Sequence, residues 1–67
     1  MAIQEIFAKN VRNHRKQKGY SQEEFARICG VHRTYMWLIE RGKTTVSIEV
    51  LERIKKELNI TYDQLLN

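Results

Sequence analysis

Apolar side chains recur along this chain at intervals of three and four and give no strand signal, so its segments read as helices. Ile3, Ile6, Phe7 and Val11 form the first stripe, over about Ile3 to Lys18. Lys9, Arg12, Asn13 and Lys16 lie on the opposite faces, and Gly19 is the stop. Arg15 falls one turn beyond Val11, on the buried side of that stripe, where an arginine needs a carboxylate partner. Phe25, Ala26 and Cys29 share one side of a second segment, Gln22 to Cys29. Ser21 can cap it, and Glu24, three residues on, completes the form of a capping box. Gly30 then interrupts the pattern where a tight turn needs a residue that tolerates positive φ, and Val31 turns beneath it. A third segment runs from Arg33 to Arg41, with Gly42 as its stop and His32 at the N-cap, a position more often held by Ser or Thr. Ile48, Leu51, Ile54 and Leu58 make a fourth stripe behind a Ser47 cap, ending at Asn59. Thr61 caps a last short helix with Tyr62, Leu65 and Leu66 on its apolar side. The expectation is an all-α fold, a compact bundle of five short helices, with residues 1–67 as a single domain.

At 67 residues the chain lies near the lower size limit for a core that folds without disulfides or metal. A lone cysteine, Cys29, cannot form an intramolecular disulfide, so a stapled secreted scaffold is excluded and a cytoplasmic location is expected. The longest apolar run, Tyr35 to Ile39, is far short of the about 20 residues a membrane span needs, so no membrane or export signal is read. The net charge of +4 is unevenly spread. Between Lys9 and Lys43, nine Lys or Arg stand against three Glu, whereas from Thr44 onward three basic residues meet four acidic ones. A local excess of this kind suits a phosphate-facing surface, since each neutralised phosphate releases condensed counterion. The competing reading of the same charges is a set of solvated helix faces.

Two short helices joined by a glycine turn, Ser21 to Gly42, have the form of a helix-turn-helix, a motif that presents one face of its second helix to DNA. On a wheel of about 100° per residue, Met36 and Ile39 mark the core direction of that second helix. Arg33, Thr34, Trp37, Leu38 and Arg41 then point outward, with Tyr35 and Glu40 on the borders. That face mixes side chains suited to base edges, thymine methyls and phosphates.

Counting Gln22 as the first position of the motif, apolar residues fall at positions 4, 8, 10, 15 and 18 (Phe25, Cys29, Val31, Met36, Ile39), with alanine at 5 and glycine at 9 (Ala26, Gly30). Together with Ser21-Gln22-Glu23-Glu24 at the entry and Ile39-Glu40-Arg41-Gly42 at the close, the chain resembles the phage repressor and Cro type of transcriptional regulators, a lambda repressor-like fold. Within that family, Val31-His32-Arg33-Thr34-Tyr35, Ile39 to Lys43 and Val46-Ser47 are most similar to the controller proteins of restriction-modification systems. Trp37, Leu38 and Lys55 depart from the pattern, standing where a small, a polar and an alanine residue are usual.

The resemblance implies a sequence-specific, double-stranded DNA-binding regulator, a homodimer on a two-fold symmetric, palindromic operator with half-sites about 34 Å apart. It assigns base contacts to Arg33, Thr34 and Leu38, and backbone contacts to Gln22, Tyr35, Arg41 and Lys43. It implies a structural ion pair between Arg15 and Glu40, and Ile48, Val50, Leu51, Ile60, Tyr62, Leu65 and Leu66 are expected to supply a dimer interface.

Competing readings stand beside these roles. Tyr35 is equally a half-buried packing residue, and Trp37 is open between covering a sugar, filling a partner surface and folding over the core. Arg12, Lys16 and Lys18 read as solvated surface. Cys29 and His32 have C-x-x-H spacing with His14 as a further nitrogen, but a structural zinc needs four ligands and Cys29 belongs to the core pattern, so no metal is expected. Neither a cofactor nor a small-molecule ligand is evident, and a bundle this small offers little room for a catalytic cleft, so the chain is not expected to be an enzyme. The alternative function is a protein-interaction or antitoxin-like module whose last two helices carry the partner.

Overall fold

Five helices run through residues 2–67, the part of the chain that the computed structural model describes: α1 (Ile3–Gln17), α2 (Gln22–Cys29), α3 (Arg33–Glu40), α4 (Ile48–Leu58) and α5 (Tyr62–Leu66). Their ends are set by local side chains. At α2, the Glu24 N–H donates to Ser21 Oγ (3.1 Å) and the Ser21 N–H donates to Glu24 Oε1 (3.0 Å), so two otherwise orphaned donors are satisfied reciprocally. Thr61 and Gln64 repeat the arrangement at α5, and Ser47 Oγ accepts from the Val50 N–H at α4. His32 caps α3 through Nδ1, which accepts from the Thr34 N–H at 3.0 Å, so the imidazole serves where a hydroxyl is usual. α1 and α3 each stop one residue before the expected end, because Lys18 and Arg41 act as their C-caps.

Gly30 closes α2 at φ 75°, the left-handed conformation that costs glycine nothing, and the Val31 N–H returns to the Ala26 carbonyl at 3.0 Å. That turn sets α3 across α2. Asn59 ends α4 in the same conformation at φ 54°, which asparagine tolerates better than most residues.

Phe7, Val11, Phe25, Ala26, Cys29, Met36, Ile39, Ile54, Leu58 and Leu65 form one core cluster drawn from all five helices. α1 lies against α5 and α3, while α2 packs on α3 and α4. Removing these side chains from water is worth about 25 cal/mol per Å² and is what holds helices this short in place. The result measures 28 × 22 × 20 Å. No helix among the described residues is long and apolar enough to cross a membrane.

Two apolar residues depart from their expected burial. Ile3 is exposed rather than in the core, because it lines the rim of an open apolar hollow with Phe7, Val46, Leu51 and Leu66 that no other described residue fills. Leu65, expected at a dimer interface, is fully buried within the monomer. Its helix lies on α1, and Asn10 Nδ2 donates to the Leu65 carbonyl at 2.9 Å, which fixes α5 with Leu65 turned inward.

Candidate nucleic-acid interface

Beneath the helix-turn-helix lies a polar cluster built on Glu40, the last residue of α3. Arg15 Nε donates to Glu40 Oε2 at 2.8 Å and Arg15 Nη2 to Glu40 Oε1 at 3.0 Å, a two-pronged charge-assisted contact. The remaining prong, Nη1, donates to the Tyr20 carbonyl at 2.9 Å. Gln22 Nε2 donates to Glu40 Oε1 at 3.3 Å, and Arg12 Nη1 donates to the Glu40 backbone carbonyl at 2.7 Å. The pair is 10% and 2% exposed, so its desolvation cost is substantial and is offset only because every prong has a partner. Through these bonds α1 and the start of α2 grip the end of α3. Arg12, expected as solvated surface from its place opposite the apolar stripe of α1, is therefore a structural contact. It is half-buried, and its guanidinium closes the end of α3.

α3 turns the opposite side outward. Arg33 and Thr34 are exposed at its first turn, and Arg33 Nη1 lies 3.3 Å from Glu23 Oε2, with side chains 68% and 66% exposed. One turn on, Trp37 is 44% exposed, and the Arg41 guanidinium sits over its ring, 5.0 Å from the centroid. Leu38 is half-buried, and its carbonyl accepts from the Lys43 N–H at 2.9 Å, which holds exposed Lys43 just beyond the helix end. Gly42, at φ 67°, makes that exit, with the Gln4 carbonyl and Glu5 Cα of α1 close by. The half-buried Tyr35 donates its hydroxyl to the Thr45 carbonyl at 3.2 Å, tying α3 to the loop after Lys43. Gln22, Arg33, Thr34 and Trp37 together line a shallow hollow of about 300 Å³.

Hydrogen bonds from the Ser21 backbone and hydroxyl hold the Glu24 carboxyl below the usual carboxylate range, with a smaller contribution from Arg27. Burial, reinforced by Glu57, pushes the Cys29 thiol up to about 12, so it stays protonated and behaves as a small core hydrophobe.

An exposed, arginine-bearing second helix fixed by a buried ion pair invites comparison with known proteins, and the sequence profile described as Helix-turn-helix matches residues 11–65. The chain belongs to the Helix-turn-helix family. It is 42% identical over 66 residues to the control protein C.SmaI of Serratia marcescens, covering 98% of this chain and 79% of that one. It is 41% identical over 66 residues to the control protein C.BamHI of Bacillus amyloliquefaciens, covering 97% and 82%. The crystal structure of the restriction-modification controller protein C.AhdI from Aeromonas hydrophila superposes with a TM-score of 0.85 at 32% identity, covering 92% of this chain and 94% of that one. Two further relatives are matched over only 60% and 57% of their own length. The chain is a helix-turn-helix transcriptional regulator.

The residues expected to pair two copies of this regulator divide by exposure. Ile48 and Tyr62 are exposed, while Val50, Leu51, Ile60 and Leu66 are half-buried against the core and Leu65 is inside it. Lys55 Nζ lies over the Tyr62 ring at 4.8 Å from its centroid. Sequence reasoning missed Arg12 and Glu23. The signal for Glu23 was its charge, opposite to that of Arg33 across a short turn, whereas the partner of Arg12 is a backbone carbonyl, which no residue pattern advertises.

Proposed function

We propose that this regulator binds double-stranded DNA sequence-specifically, as a homodimer on a two-fold symmetric operator, and that it controls a restriction-modification operon. The observation that carries the reading is the outward face of α3, where Arg33 and Thr34 stand exposed at the first turn and Arg41 and Lys43 follow at the other end. A guanidinium in that position can donate two hydrogen bonds to guanine O6 and N7, and Thr34 can meet a neighbouring base edge or thymine methyl. Leu38, half-buried one turn on, would add contact with a methyl. Lys43 and Arg41 would neutralise phosphates, and the Gln22 amide, which uses one of its two N–H donors on Glu40, would keep the other for the backbone near the α2 N-terminus. Tyr35, whose hydroxyl already holds the Thr45 carbonyl, would steady the loop carrying Lys43 instead of reaching a phosphate itself.

For dimerisation the candidate surface is Ile48 and Tyr62 with the exposed edges of Val50, Leu51, Ile60 and Leu66, and Leu65 plays no part. Assignment to a restriction-modification operon rests on the relatives named as control proteins.

Random-site selection with the purified protein tests the reading. A recovered site with two-fold symmetry and half-sites about one helical turn apart is expected, with a dimer on it in sedimentation. Recovery of no sequence preference would overturn DNA reading and favour the protein-interaction alternative.

A further inference from the structure

Trp37 is the only tryptophan of the chain. It is not folded into the core, being 44% exposed. It lies on the outward face of α3, with Arg41 over its ring and with Gln22, Arg33 and Thr34 around the same shallow hollow. Arg41 does not line that hollow, so the part of the indole turned toward Gln22 is the part left for a ligand. The hollow separates the exposed first turn of α3, where Arg33 and Thr34 stand, from Gln22 at the start of α2. An object seated there would lie between side chains suited to base edges and an amide suited to a phosphate.

Between the base edges and the phosphates of a duplex lies the deoxyribose. We propose that Trp37 is a sugar-phosphate contact: its ring packs on a deoxyribose seated in the hollow, its Nε1–H donates to the adjoining phosphate, and its stacking on Arg41 holds that guanidinium toward the next one. The inference rests on the DNA-binding reading above and extends it to a residue that reading leaves without a role. The indole suits such a ligand because it offers an apolar face to the sugar C–H groups and a donor at its edge. The cation stacked on it supplies the complementary charge. Contact of this kind fixes the register of the protein on the duplex and carries no base information of its own.

Because the chain holds one tryptophan, its emission reports on this site alone. Titration with a mixed-sequence duplex of about 20 base pairs at low salt, and separately with the selected operator, is expected to change Trp37 emission in both cases. Trp37→Ala should weaken both duplexes by a similar factor, roughly tenfold, while Trp37→Phe, which keeps an aromatic face and loses the donor, should retain part of it. The double variant with Arg41→Ala should lose less than the product of the two single losses, since the ring positions the guanidinium. Sedimentation and melting temperature of Trp37→Ala are expected to match the parent.

Emission unchanged while a mobility shift shows the duplex bound would overturn the proposal and leave the DNA-binding reading standing. A loss confined to the operator would make Trp37 a base reader. A shift in the monomer–dimer equilibrium would make it a partner contact, and a drop in melting temperature without loss of affinity a core cover, so each of these outcomes also overturns the proposal. Absence of binding to either duplex would remove both the proposal and the reading on which it rests.

Discussion

Two arginine–glutamate pairs sit at opposite ends of α3, one sealed from solvent and one open to it. Arg15 and Glu40 are almost sealed from solvent, with three arginine N–H groups engaged and the carboxylate shared with Gln22. Arg33 and Glu23 are two-thirds exposed and meet through one contact of 3.3 Å. The first pair has exchanged hydration for a fixed geometry, so losing either partner strands a charge. The second has kept its hydration, so its arginine can leave the glutamate at little cost. Burial thus makes one arginine part of the frame and leaves the other available to a ligand.

That contrast can be broken most forcefully at Glu40. Glu40→Ala strands Arg15, and a cost of about 3–5 kcal/mol is expected, much of what a chain of this size has to spare; urea unfolding measures it. Changing both partners together, Arg15→Met with Glu40→Leu, should cost clearly less than Glu40→Ala alone, and equal losses would mean that the pair is not what matters. At the exposed pair, Arg33→Ala should leave the unfolding midpoint unchanged and lower operator affinity by about 1–3 kcal/mol, read by titration of the selected site. Lys43→Ala is expected to have a smaller effect, spread evenly over operator and mixed-sequence DNA, and to reduce the slope of log affinity against log salt by about 0.9. Least affected should be Glu23→Ala, with stability within about 0.5 kcal/mol of the parent and a slight gain in DNA affinity, since one negative charge leaves the face and Arg33 is freed.

Much of the frame was legible in the residues. Spacing alone put Arg15 on the buried side of α1, where a buried arginine requires an acid, while the identity of that acid, Glu40, came from the family resemblance. Ser21 with Glu24, Ser47 and Thr61 declared the helix starts, because capping depends on side chains at fixed offsets and not on tertiary packing. The outward face of α3 followed from Met36 and Ile39 pointing the other way. What stayed illegible depends on how helices lie on one another. Leu65 belongs to an apolar side that could equally face a second copy, and only the seating of α5 on α1 decides that it is core. Ile3 fits the stripe of α1, yet it sits at the rim of a hollow that the neighbouring elements leave open. The stacking of Arg41 on Trp37 has the four-residue spacing that makes helical neighbours, but whether two long side chains meet depends on their rotamers.

The division between frame and ligand-facing layer is tested most directly by the ratio of operator affinity to mixed-sequence affinity, measured at one salt concentration for the parent, Arg33→Ala and Lys43→Ala. The ratio should fall steeply for Arg33→Ala and remain at the parental value for Lys43→Ala, with all three proteins melting together. An equal ratio in all three, or a fall for Lys43→Ala alone, would contradict the assignment of sequence reading to the exposed first turn of α3.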